Sequence, residues 1–138
     1  MLALETRNGN YVNGRFFDFL KDQTLVPVLL QGYWMPPVAE LIRRFKEQPV
    51  RFPAIVIRLH GPDRGGIEAE TGKRWDRIVR PMDGELDELA SMTGEMLDRG
   101  MEMFINVNNH YEGSAPLAIS RFRQRLTGRT GRVGPDAD

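Results

Sequence analysis

The sequence predicts an α/β fold of four βα units with parallel strands, either a small open sheet or half of a TIM-type (β/α)8 barrel. Three observations carry this. The apolar runs are nearly continuous, as in strands covered on both faces, and not alternating as in one-sided sheets. Each run is followed by a stretch with helical spacing of its apolar residues. The richest run chemically, Phe104-Ile105-Asn106-Val107-Asn108-Asn109-His110-Tyr111-Glu112-Gly113-Ser114-Ala115-Pro116, passes from strand to helix start. That is where α/β folds keep their ligands.

Leu2 to Arg7 reads as the first strand, and the helix after it begins with Phe16, Phe17, Phe19 and Leu20. Thr24 to Leu30 is the second strand. Pro27 lacks an amide donor, so an edge or bulge position is expected there. Val38 to Phe45 is a helix entered through Pro36-Pro37. Pro53 to His60 is the third strand and the strongest apolar run. Glu85 to Leu97 is a helix with a stripe of Leu86, Leu89, Ala90, Thr93, Met96 and Leu97, closed by Gly100. Met103 to Asn108 is the fourth strand. There Phe104, Asn106 and Asn108 share one face, and Ile105 and Val107 the other. Ser114 is an expected N-cap for the last helix, Ala115 to Leu126, with Pro116 in its first turn. Residues 127–138 alternate Gly, Arg, Asp and Pro and are expected to form a flexible tail. Arg125, Arg129 and Arg132 would give that end an option on nucleic acid, although a solubilising end is the simpler reading.

The chain of 138 residues suits one domain, and its 19 basic and 19 acidic residues cancel. Nucleic acid is therefore not an expected partner, and a nuclease is the weakest of the functional options. Cysteine is absent, which excludes thiol chemistry and fits a reducing compartment. Nothing reads as a signal or membrane span, so the cytoplasm is expected and a membrane partner is not. Four βα units also describe a small open sheet.

Four motifs bear on that choice. Val107 to Pro116, with its asparagine pair, resembles the closing signature of the YecE-like family, a domain of unknown function. Leu4-Glu5-Thr6-Arg7-Asn8, Leu30-Gln31-Gly32-Tyr33-Trp34-Met35-Pro36 and Ile57-Arg58-Leu59-His60-Gly61 resemble three further family segments in the same order. The resemblance spans residues 1–126 and implies the C-terminal half of a β/α barrel, strands five to eight. It implies no activity or substrate. A half barrel leaves two strand edges bare and an inner face, including Ala3, Val56 and Phe104, without a facing wall. Self-association or a missing N-terminal half is therefore expected.

In a barrel, residues at the carboxyl ends of strands form the site. Glu5 and Arg7 share a face of the first strand, either as part of a site or as a structural ion pair. Arg58 and His60 repeat the pattern on the third strand. Arginine offers a fork for phosphate or carboxylate, and histidine moves protons near neutral pH. Gly61 to Gly66 is expected as a flexible loop from which Arg64 reaches a ligand. Asn106 and Asn108 should point inward, with Asn109, His110 and Glu112 in the turn beyond. Glu112 is either a site residue or a cap for the helix entry. On this reading Glu5, His60 and His110 are the catalytic candidates. Arg7, Arg58, Arg64, Asn106, Asn108, Asn109 and Glu112 bind the ligand, a small phosphorylated or carboxylated molecule. By fold analogy, phosphate sits between the loops after His60 and Asn108. Glu5, His60 and His110 would also suit zinc or manganese, but no close-spaced ligand motif accompanies them. No metal and no cofactor is therefore expected. Tyr33 and Trp34 could stack on a sugar or base, or pack on the Pro36-Pro37 turn. Trp75 is expected to fold the segment after Gly66 onto the barrel. The alternative to an enzyme is a binding domain or an inactive half barrel.

Overall fold

The alternation of apolar and polar residues in the strands sorts them onto two faces, and the computed structural model, which describes residues 1–130, shows what covers each. The elements are β1 (Leu2–Glu5), a 3-10 turn (Gly9–Tyr11), α1 (Gly14–Asp22), β2 (Leu25–Gln31), α2 (Val38–Lys46), β3 (Ala54–Leu59), α3 (Arg64–Thr71), α4 (Asp83–Asp98), β4 (Glu102–Val107) and α5 (Ala115–Thr130). The strands form one parallel sheet in the order β1-β2-β3-β4. Four parallel strands alternating with helices are the arrangement of half a (β/α)8 barrel.

One face of this sheet is the core. Ile55, Ile57 and Leu59 of β3 and Leu29 of β2 are fully buried in a cluster with Phe17 and Leu20 of α1, Leu41, Ile42 and Phe45 of α2, Leu86 and Leu89 of α4, and Ala118 and Phe122 of α5. Ile105 and Val107 pack against the same cluster. Each such aliphatic side chain contributes about 1.5–3 kcal/mol by leaving water. Phe17, Phe45 and Phe52 stack mutually at centroid distances of 5.6–6.3 Å.

The other face carries Ala3 and Glu5, then Val28 and Leu30, then Val56 and Arg58, then Phe104 and Asn106, in register across the strands. Leu30 in the middle is fully buried, but at the β4 edge Phe104 is 46% exposed. The β1 edge is open as well, with Leu2 72% and Leu4 38% exposed. Ala3 of β1 and Phe104 of β4 are thus exposed on the face away from the helices, which lacks a wall at both edges.

Local chemistry sets the helix starts. Asn13 accepts from the Phe16 amide (3.3 Å) to begin α1, and Asp63 accepts from the Gly66 amide (2.9 Å) to begin α3. Three expectations change. The segment after Gly61 is not a flexible loop: α3 starts at Arg64, because the Asp63 cap and the Arg80 bridge to Asp63 and Glu70 outweigh the low helix propensity of Gly65 and Gly66. Pro27 lies in an inner strand and not at an edge, opposite Leu4 of β1. It precedes Val28, where the pairing of β2 with β3 begins, so its missing donor falls outside that ladder. The last helix runs on to Thr130, four residues into the expected tail, and Arg125 is tied by ion pairs to Asp83 and Asp87. Arg132 and the rest of 131–138 lie outside the described residues. Among the described residues no helix is long and apolar enough to cross a membrane.

Candidate functional site

The carboxyl ends of β2, β3 and β4 are drawn together by backbone contacts that only small residues permit. The His60 amide donates to the Gln31 carbonyl (3.0 Å), and the Asn108 amide donates to that of Leu59 (2.8 Å). Gly61 then turns with φ of 82°, and a Cβ on it would lie 2.3 Å from the His110 carbonyl oxygen. Gly32 turns with φ of 121°, and its Cβ would lie 2.7 Å from the Gly61 carbonyl. Both positions need glycine for space and for backbone angle.

Side chains lock this junction from below. The Gly61 amide donates to Gln31 Oε1 (2.9 Å), and Gln31 is 5% exposed. Gln31 also bonds Glu85, which accepts from the buried Tyr111 hydroxyl at 2.7 Å. Burial pushes the Glu85 carboxyl above its ordinary value, against the pull of these two bonds. Burial, with Glu85 alongside, likewise raises the Tyr111 phenol.

Above the junction lies a pocket of about 270 Å³ lined by Tyr33, His60, Gly61, Pro62, Arg64, Asn108 and His110. A larger hollow, about 400 Å³, opens at the opposite end of the sheet beside Phe45, Phe52 and Met96. No histidine or carboxylate lines it, so it lacks the proton-transfer groups that the smaller pocket holds.

The two histidines of the pocket are held differently. His110 Nδ1 faces Asn108 Oδ1, which also accepts from the His110 amide at 2.9 Å. His110 Nε2 faces Glu68 Oε1 at 2.8 Å, and the Trp75 ring packs edge-on at 5.0 Å. Both nitrogens of His110 therefore face acceptors. The ring of His60 has no hydrogen-bond partner among the described residues, and its neighbour is the Tyr33 ring at 5.8 Å. Burial pushes the His60 imidazole below its ordinary value, and the Arg58 charge adds to this. Both ring nitrogens of His60 are thus unpartnered among the described residues, in surroundings that favour the uncharged form.

Glu5 bonds Arg7 Nε at 2.9 Å and Arg58 through a short contact that crosses β2. Burial works to raise the Glu5 carboxyl, but the Arg7 and Arg58 bonds outweigh it and hold it below the carboxylate range. Glu5 is an ionised clamp on two guanidiniums, a role that orients Arg58 and Arg7 and leaves no spare proton. Arg7 also covers the Tyr33 ring at 5.4 Å. Arg64 stands at the pocket rim with Nε on Glu68 (3.0 Å) and its side chain 70% exposed.

The structure therefore gathers His60, His110, Asn108 and Arg64 at one pocket, with Glu5, Arg7 and Arg58 among the groups whose charges act on His60 or the pocket wall. The remaining candidates stand elsewhere. Asn106 is exposed on the open face beside Arg58. Asn109 Oδ1 accepts from the Ala115 amide (2.8 Å), the capping contact expected of Ser114. Glu112 is fully buried. It accepts from the Met82 amide (2.7 Å) and pairs with Arg121 (3.3 Å), so it ties the start of α4 to the body of α5, away from the pocket. Among the described residues no group of three or more histidines or carboxylates is placed to hold a metal ion.

The family model for "Protein of unknown function DUF72" matches residues 1–137. The chain belongs to the DUF72 family. A crystal structure of a DUF72 family protein from Thermotoga maritima matches over 91% of this chain and 46% of that one, with 24% identity and a TM-score of 0.61. A DUF72 family protein from Enterococcus faecalis matches over the same shares with 21% identity and a TM-score of 0.57. This chain spans about half the length of both DUF72 structures, which agrees with a half barrel and with the YecE-like motifs. No curated protein matches the sequence.

The junction makes a direct prediction. Gly61→Ala places a methyl group against the His110 carbonyl at a positive φ, so it should destabilise by about 2 kcal/mol or more. Gly94→Ala, where a Cβ meets open space in α4, should instead stabilise by about 0.5–1 kcal/mol. Urea denaturation of both variants checks this, and similar midpoints would contradict the close approach.

Proposed function

We propose that the strand ends bind a small molecule bearing phosphate or carboxylate, and that His60 moves a proton in its hydrolysis or acid-base conversion. The supporting observation is the unpartnered neutral imidazole of His60, facing a pocket with the Arg64 guanidinium on its rim and the fixed Asn108–His110 pair on its wall. Arg64 and the side-chain NH2 of Asn108 offer donors to an anionic oxygen. His60, free at both nitrogens, accepts a proton from a water or hydroxyl brought beside it. Burial, and then the charge of Arg58 held by the Glu5 clamp, lower the His60 imidazole and favour the form that accepts a proton. The absence of cysteine suits action in the cytoplasm.

Calorimetric titration with inorganic phosphate tests the binding half of this reading. Arg64→Ala should weaken phosphate by about tenfold, the size of one charge-assisted hydrogen bond. In a screen of phosphate and carboxylate esters, any turnover found should be lost in His60→Ala. Phosphate that fails to bind, or binds equally after Arg64→Ala, sinks the reading.

The bare inner face favours a second reading, a binding half that requires a partner to complete it. Pairing of two copies through the β1 and β4 edges would close eight strands and bring Glu5 of one copy toward Asn108 of the other. An N-terminal half would fill the same space. Sedimentation at several concentrations should show a dimer for the chain alone. A monomer that unfolds cooperatively and protects the amides of all four strands would count against self-association.

A further inference from the structure

The turn on the β2 side of the pocket holds two aromatic residues in an arrangement that packing does not explain. Gly32 to Met35 is closed by the Met35 amide donating to the Gly32 carbonyl (3.1 Å). Tyr33, its second residue, has φ of 56°. An L side chain rarely adopts that left-handed region, and turns of this kind usually place glycine or asparagine there. Trp34, the third residue, is 93% exposed, the most exposed large apolar side chain among the described residues. The chain's other tryptophan, Trp75, is half-buried against His110.

Packing on the proline turn, the alternative for Trp34 in the sequence, is not what holds it. Pro36 is turned to Gly9 instead, where a Cβ would lie 2.6 Å from Pro36 Cδ. Tyr33 is itself a wall of the pocket, with its ring beside His60 at 5.8 Å and under the Arg7 guanidinium at 5.4 Å. Those contacts occupy Tyr33 and fix the turn. Trp34 follows directly on that pocket wall, and its indole is left uncovered. Strain of this sort persists where surrounding structure enforces it, and it concentrates at ligand clamps.

We propose that the Tyr33–Trp34 turn is a stacking platform, so that the ligand of the strand-end pocket is an anion joined to a flat ring, the class represented by a nucleoside monophosphate. This rests on the anion reading of the same pocket. Phosphate is held at Arg64 and the side-chain NH2 of Asn108, and the ring lies on Trp34. Stacking on an aromatic face is tolerant of which base is offered, so the platform selects for a ring and not for a particular one.

The test uses the whole chain and three probes: inorganic phosphate, ribose 5-phosphate and adenosine monophosphate. Calorimetry should show adenosine monophosphate binding about tenfold tighter than ribose 5-phosphate, the scale of one stacked base. Tryptophan fluorescence should be quenched by the nucleotide and not by ribose 5-phosphate. Trp34→Ala should remove the preference, and Trp34→Phe should retain part of it. Equal affinity for the nucleotide and ribose 5-phosphate overturns the platform while leaving the anion site standing. A preference that survives Trp34→Ala also overturns it. Failure of all three probes to bind overturns the anion site and the platform together.

Discussion

Everything at the functional end of this molecule depends on the backbone of Gly61 lying against the carbonyl of His110. That approach joins the exit of β3 to the exit of β4, and Gly32 against Gly61 joins β2 to both. Three strand ends are thereby held within van der Waals contact, and the residues next to the glycines inherit fixed positions. His60 precedes Gly61, His110 supplies the carbonyl, and Tyr33 follows Gly32. The pocket is the space left between these three. The Gln31–Glu85–Tyr111 network secures it from the helix side, where a buried carboxyl, amide and phenol satisfy one another.

Charge divides the site into two parts. On the open face, Glu5 pairs with Arg7 and, across β2, with Arg58, while burial first and the Arg58 charge second push the His60 imidazole below its ordinary value. On the α3 side, Glu68 gathers Arg64 and His110. One histidine is thus held by acceptors at both nitrogens, and the other is released from hydrogen bonding altogether. A fixed ring suits recognition and a free one suits proton transfer, so the two histidines of this chain are not interchangeable.

The order and type of the four βα units were legible because strand faces and helix stripes leave a periodic trace. Ile55, Ile57 and Leu59 alternate with Val56, Arg58 and His60, and the core follows the first set. The motif around Asn108 and His110 could be placed at the carboxyl end of β4, and the pair Arg58 and His60 at that of β3, from strand position alone. Contacts distant in sequence were not legible. Glu68 reaches His110 across 42 positions from a helix whose start carries two glycines, so nothing local announces it. Tyr111 and Gln31 read as ordinary strand and turn residues until Glu85 stands between them. Glu112 sits inside the motif yet ties the α4 start to the body of α5, because Met82 and Arg121 arrive from elsewhere in the chain. The larger barrel was legible only through resemblance, since a sheet with one bare face is also what an open fold would show locally.

The central claim is that His60 is a neutral, unpartnered imidazole facing an anion site. With only two histidines in the chain, proton resonances of the imidazoles can be followed by pH in free and phosphate-loaded protein, His60 being assigned through His60→Ala. The account predicts that His60 titrates below the ordinary histidine value in the free protein. Phosphate should raise it, because a bound anion favours the imidazolium. A His60 that titrates at or above its ordinary value when free, and is unmoved by phosphate, would contradict the account.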